Sequence, residues 1–77
     1  MSKFIATFHS QFGAMSYFRA LKKQSISAKL MPVPRKLSSS CGICCCYEHS
    51  SAVVLDDCEM DSVYMESEGG LECIIKK

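Results

Sequence analysis

The chain lacks the features that would place a small protein in a membrane or on nucleic acid. Its longest apolar runs, such as 43–47 and 52–55, cover about five residues at most, against the roughly 18 that a spanning helix needs. Nine basic residues stand against eight acidic ones for a formal net charge of +1, with no block of like charge longer than a pair, so nothing calls for nucleic acid or an anionic membrane as partner. The first residues, Met-Ser-Lys-Phe-Ile-Ala-Thr-Phe, contain neither the apolar core of about 7–15 residues nor the cleavage site of a secretory signal, and a cytoplasmic protein is expected. There is no glycine-rich phosphate loop, no carboxylate pair in a loop, and no Ser-His-Asp order that would suggest a hydrolase. No cofactor is implied by any of these motifs.

What is present is a chain of 77 residues, 48% hydrophobic and 22% charged. That balance is too apolar for intrinsic disorder and leaves room for one domain, 1–77, of modest stability. Six cysteines in so short a chain would form a disulfide framework in a secreted protein. Here Cys44, Cys45 and Cys46 are consecutive, and a strand sends neighbouring side chains to opposite faces, so they are poorly placed to pair with one another. Free thiols in a reducing compartment are the simpler expectation.

Residues 3–8 alternate Phe4, Ala6 and Phe8 with Ile5 and Thr7, a strand with apolar character on both faces. Ser10 stands where an N-cap belongs, and Ala14, Tyr17, Phe18 and Leu21 follow at helical spacing, which predicts an amphipathic helix over 11–23. Residues 27–31 return to strand, ended by Pro32 and Pro34, which donate no ladder hydrogen bond. A surface loop over 33–41 leads through Gly42, free to take a positive φ, into a strand over 43–47. This strand directs Ile43, Cys45 and Tyr47 to one face and Cys44 and Cys46 to the other. Ser50 or Ser51 is read as the cap of a second helix through Ala52, Val53, Val54, Leu55 and Cys58 and onward toward Met65, and residues 71–75 as a last strand after Gly69-Gly70. A competing reading pairs 63–67 with 71–75 as a hairpin across that turn. The resulting order, β-α-β-β-α-β, predicts an α+β ferredoxin-like sandwich: a four-stranded antiparallel sheet with two helices on one face.

Chemistry concentrates on sulfur. Cys41 ends the run Pro32-Val-Pro-Arg-Lys-Leu-Ser-Ser-Ser-Cys-Gly42, and a thiolate there could draw on the hydroxyls and peptide N–H groups of the serine run, with Arg35 and Lys36 close in sequence. Cys41 and Cys44 have the C-x-x-C spacing of redox sites, but they straddle the start of a strand and lack the helix N-terminus that lowers a thioredoxin-type pKa. A zinc site would need about four ligands, of which only Cys46, His49 and Cys58 are conceivable contributors beside that pair. No metal site is assigned. Cys45, Cys46, Cys58 and Cys73 are most simply small core residues. His9, at the end of the first strand, could approach the loop and help hold a thiolate, and Arg35 could clamp an anion.

The elements Phe4-Ile5-Ala6-Thr7-Phe8-His9-Ser10 and Lys29-Leu-Met-Pro-Val-Pro-Arg-Lys-Leu-Ser-Ser-Ser-Cys-Gly42 resemble a small bacterial family of selenium/sulfur carrier protein-like domains. The resemblance covers residues 3–46 and rests on the Pro-Val-Pro-Arg and Ser-Ser-x-Cys-Gly elements; the triple cysteine at 44–46 departs from it. It implies a compact αβ sandwich and a role in sulfur or selenium metabolism in which Cys41 is the carrier atom. On this expectation the protein is a carrier or accessory protein more than an enzyme. Cys41 accepts sulfur or selenium, Arg35, Ser39 and Ser40 steady the terminal anion, Gly42 admits a partner's backbone, and donor and acceptor proteins are the partners. Two other readings stand beside it: a dithiol switch using Cys41 and Cys44, and a protein-binding module that needs no reactive thiol.

Overall fold

The computed structural model describes residues 2–34, 37, 42–55 and 59–76. The elements in chain order are β1 (Ser2–Phe8), α1 (Gln11–Lys23), β2 (Ala28–Pro32), β3 (Ile43–His49), β4 (Met60–Ser67) and β5 (Gly70–Lys76). They build one antiparallel sheet in the order β2-β3-β1-β4-β5. This corrects the ferredoxin-like expectation: among the described residues there are five strands and one helix, not four strands and two helices.

Distance explains the missing helix. Both β3 and β4 pair antiparallel with β1, so they run parallel to each other and the chain must travel the length of a strand between them. Seven residues of β3 span about 23 Å. The ten connecting residues, 50–59, would rise only about 15 Å as a helix, whereas an extended chain of that length reaches about 33 Å. The β-branched pair Val53-Val54 also favours extension. Residues 52–55 accordingly form an irregular strap, and Ala52, Val53 and Leu55 pack against the core where a second helix was expected. The 13-residue α1 serves the earlier crossover from β1 to β2, where 19 residues are available.

Capping fixes the ends of α1. The Ser10 hydroxyl accepts from Gly13 N–H at 3.1 Å, satisfying one of the orphan donors of the first turn. At the other end Ser25 takes a positive φ of 60°, and its N–H donates to Lys22 O while Ile26 N–H donates to Leu21 O. This is a Schellman closure with serine at the position glycine usually fills. It turns Ile26 back under the helix, where it is buried.

Strand alternation sorts the residues between two faces. Phe4, Ala6 and Phe8 of β1, Cys45 and Tyr47 of β3, and Val63 of β4 face α1 and form the core with Ala14, Tyr17 and Leu21. Four aromatic rings run through it: Phe4 stacks on Tyr47 at 5.2 Å, Tyr47 meets Tyr17 edge-on at 5.7 Å, and Tyr17 meets Phe8 at 5.1 Å. Each such pair adds about 0.5–1.5 kcal/mol to the burial itself. The two tyrosines also hold the strap: Tyr17 O–H donates to Val53 O at 2.6 Å, and Val53 N–H donates to the Tyr47 hydroxyl at 3.1 Å. At the far side, the hairpin reading of the C-terminal residues holds, with Glu68-Gly69 as a two-residue turn between β4 and β5.

Tyr17→Phe keeps the ring contacts and deletes the hydroxyl that bonds Val53 O and the Tyr47 hydroxyl. Urea denaturation should show a loss of about 1 kcal/mol, with the melting temperature falling by about 4–8 °C for a domain this size and no change in far-UV circular dichroism. An unchanged midpoint would mean that the strap does not depend on this hydroxyl.

Candidate functional site

The candidate site is assembled from loops that leave one end of the sheet. Pro32, the last residue of β2, pairs with Ile43, the first of β3, while Thr7 pairs with Cys44 and Phe8 with Met60. The β2–β3 loop, the β1–α1 junction and the entry to β4 therefore share that end. Val33 N–H donates to Gly42 O at 3.0 Å and closes the base of the loop. Above it Leu37 N–H donates to Pro34 O at 3.0 Å. Gly42 has φ 72° and open space around the position a Cβ would occupy, so conformation and not crowding is what calls for glycine there.

Gly42 and His9 are thus brought to the same sheet end, each just beyond one of the paired strands β3 and β1. The His9 side chain is exposed, and its backbone N–H donates to Glu59 O at 2.9 Å. Cys41, Arg35, Ser39 and Ser40 lie outside the described residues, as does Cys58. Sequence reading missed Glu59: the Ser10 hydroxyl, besides capping α1, donates to the Glu59 carboxylate at 2.6 Å, and this places a negative charge at the positive end of the helix. No signal in the sequence ties residues 49 positions apart.

The strand thiols divide by face. Cys45 is fully buried in the aromatic core, and its pKa is pushed up from 9.0 to about 12, first by burial and then by the neighbouring Cys46 and Cys44. Cys44, fully buried on the opposite face, donates to Pro32 O at 3.8 Å. Cys46 is half-buried on that same face; burial raises its pKa, with Lys29 and Lys3 opposing the rise and Glu66 and Glu48 adding to it. Cys73, expected in the core, is exposed on the edge strand β5. Cys46 and His49 are three residues apart on one strand and so point to opposite faces. Among the described residues no group of three or more His, Cys, Asp or Glu is placed to hold a metal ion.

The helix-free face has a second feature, a hollow of about 720 Å³ floored by Ile5 and Cys46 and rimmed by Met31, Pro34 and Leu71. Its lining mixes Lys3 and Lys29 with Glu48, Glu66 and Glu68, so it presents no single sign of charge to a ligand. Among the described residues no helix is long and apolar enough to cross a membrane.

Thiol burial has a consequence for pH. A proton held by Cys45 up to about pH 12 contributes stability that is complete below pH 9.0 and is lost as pH rises from there toward 12. The Tyr47 hydroxyl acts in the same sense above pH 10.0: burial raises its pKa, and hydrogen bonds from Tyr17 and Val53 only partly offset this. Urea midpoints should therefore hold below pH 9 and fall above it, and Cys45→Ala should flatten the first part of that fall. A midpoint indifferent to pH between 9 and 11 would contradict the burial of Cys45.

A family model described as "Putative Se/S carrier protein-like" matches residues 3–59. No curated protein and no solved structure matches the chain. The matched span takes in β1 through the strap, and with it five of the six cysteines, leaving out only Cys73. On that match, the chain belongs to the Se/S carrier protein-like family.

Proposed function

We propose that the protein carries sulfur or selenium on Cys41. The observation that bears most on this reading is the burial of the strand thiols. Within the family-matched span, Cys44 and Cys45 are shut away from solvent and burial holds Cys45 and Cys46 in the thiol form, and it is the thiolate that reacts. The loop cysteine is thereby favoured as the carrier atom, with Cys58 the alternative inside the same span.

The step is a transfer between sulfurs. The Cys41 thiolate attacks the terminal sulfur of a donor cysteine persulfide, the donor's S–S bond breaks, the donor cysteine leaves as a thiolate, and Cys41 becomes the persulfide. No external oxidant or reductant is consumed. A selenium atom moves by the same bond exchange. Gly42, with no side chain beside the loop base, leaves room for a partner's backbone, and Arg35 with the Ser39 and Ser40 groups would steady the terminal anion. The burial of Cys44 argues against the dithiol alternative, because a resolving thiol has to be reached by the sulfur it resolves.

Intact-protein mass spectrometry under non-reducing conditions tests this. Wild type and Cys58→Ser, incubated with a cysteine desulfurase and cysteine, should each gain the mass of one sulfur, and Cys41→Ser should gain none. Retained loading in Cys41→Ser would overturn the assignment, and a loss of two hydrogens in place of a gain would favour the dithiol switch.

A further inference from the structure

Charge is separated along this chain to a degree that its net value of +1 conceals. All eight acidic residues follow Tyr47, and seven of the nine basic ones precede it. The fold keeps that separation in part. Arg19, Lys22 and Lys23 on α1 and Lys29 on β2 stand with no acidic residue on either element, whereas β4 carries Asp61 and Glu66 and no basic residue, β3 carries Glu48, and β5 carries Glu72 with Lys76. The positive part of the described residues is α1 with β2.

Within that part α1 has an outward face of unusual composition. Ala14, Tyr17 and Leu21 are buried against the sheet, whereas Phe12 is 72% and Met15 45% exposed. Arg19, Lys22 and Lys23 continue the exposed face toward the helix C-terminus, and α1 contains no acidic residue. Lys22 lies 5.5 Å from the Phe18 ring. At 3.6 residues per turn Phe12, Met15, Arg19 and Lys23 share one stripe, with its apolar end at the sheet end from which the β2–β3 loop departs. Aromatic, Met and Arg side chains are the types enriched in protein interfaces.

We propose that this stripe docks the protein that donates sulfur, an acidic-surfaced enzyme with an apolar pocket for Phe12 and Met15 placed beside its own persulfide cysteine. The inference rests on the carrier reading above and names the partner's chemistry. Charge complementarity selects a partner of negative surface and steers the encounter, while the two apolar side chains at the loop end fix the approach. Of the large apolar residues of α1 only Phe12 and Met15 are exposed, too few for an interfacial membrane helix, whose apolar face is broad.

The test compares two donors for loading of Cys41, a cysteine desulfurase with cysteine and the small donor glutathione persulfide. Phe12→Ala and the double variant Arg19→Gln/Lys23→Gln, all at exposed positions, should fold with nearly unchanged melting temperature. Each should load from the enzyme at least tenfold more slowly at subsaturating concentration and from glutathione persulfide at the wild-type rate. Raising salt from 50 to 500 mM should slow enzymatic loading of wild type and leave the double variant nearly unaffected. Enzymatic loading that is equal in wild type and variants overturns the docking site and leaves the carrier reading standing. Loss of loading from both donors also overturns it, since the stripe would then act through the environment of Cys41. A wild type that loads from neither donor removes the carrier reading and the docking site with it. Arg19-dependent sedimentation with vesicles of 70:30 phosphatidylcholine and phosphatidylserine, or a dimer at 50 µM abolished by Phe12→Ala, would assign the surface to a membrane or to a second copy instead.

Discussion

Tyr17 and Tyr47 take hold of both polar groups of one residue, Val53, and much of the architecture follows from that grip. The two rings meet edge-on at 5.7 Å, one hydroxyl donating to Val53 O and the other accepting from Val53 N–H. A strap of irregular backbone over a core is normally a liability, because peptide groups taken from water without partners cost free energy. The tyrosines supply partners from within the aromatic cluster itself. With the strap held, the chain returns to the far end of β1, and β4 pairs with β1.

That return decides which residues share the sheet end. With β4 beside β1, Glu59 meets His9 and the Ser10 cap, while β2 and β3 close the base of the cysteine loop through Val33 and Gly42. The same alternation that fills the core separates the sulfur atoms. Cys45 goes into the aromatic core, Cys44 and Cys46 go to the helix-free face, and burial suppresses the thiolate form of Cys45 and Cys46. Three adjacent cysteines thus read as packing, with Cys46 beside an open hollow.

Much of this was legible in the residues. The alternation of Phe4, Ala6 and Phe8, the serine cap, the helical spacing of Ala14, Tyr17 and Leu21, and the opposite facings of Cys44 and Cys45 all express local periodicity, and the structure contains them. The second helix was misread for a nonlocal reason. Residues 50–55 carry a cap-like serine pair and an apolar run, yet the conformation is set by the distance from β3 to β4, which depends on strand order. The exposure of Cys73 is nonlocal as well, since an apolar pattern does not tell an edge strand from a central one. Part of the candidate site, the pairing of Ser10 with Glu59, needed contacts between distant residues. The segregation of charge was visible in the sequence, but it became a surface only once α1 packed with Arg19, Lys22 and Lys23 outward.

The central claim is that the strand cysteines are structural and the loop cysteine does the chemistry. The most direct measurement is native-state alkylation with iodoacetamide across pH 6–10, with each cysteine followed by peptide mapping. Cys41 should react first in the folded protein, and Cys44 and Cys45 only after unfolding. Modification of Cys44 or Cys46 ahead of Cys41 in the folded protein would contradict it.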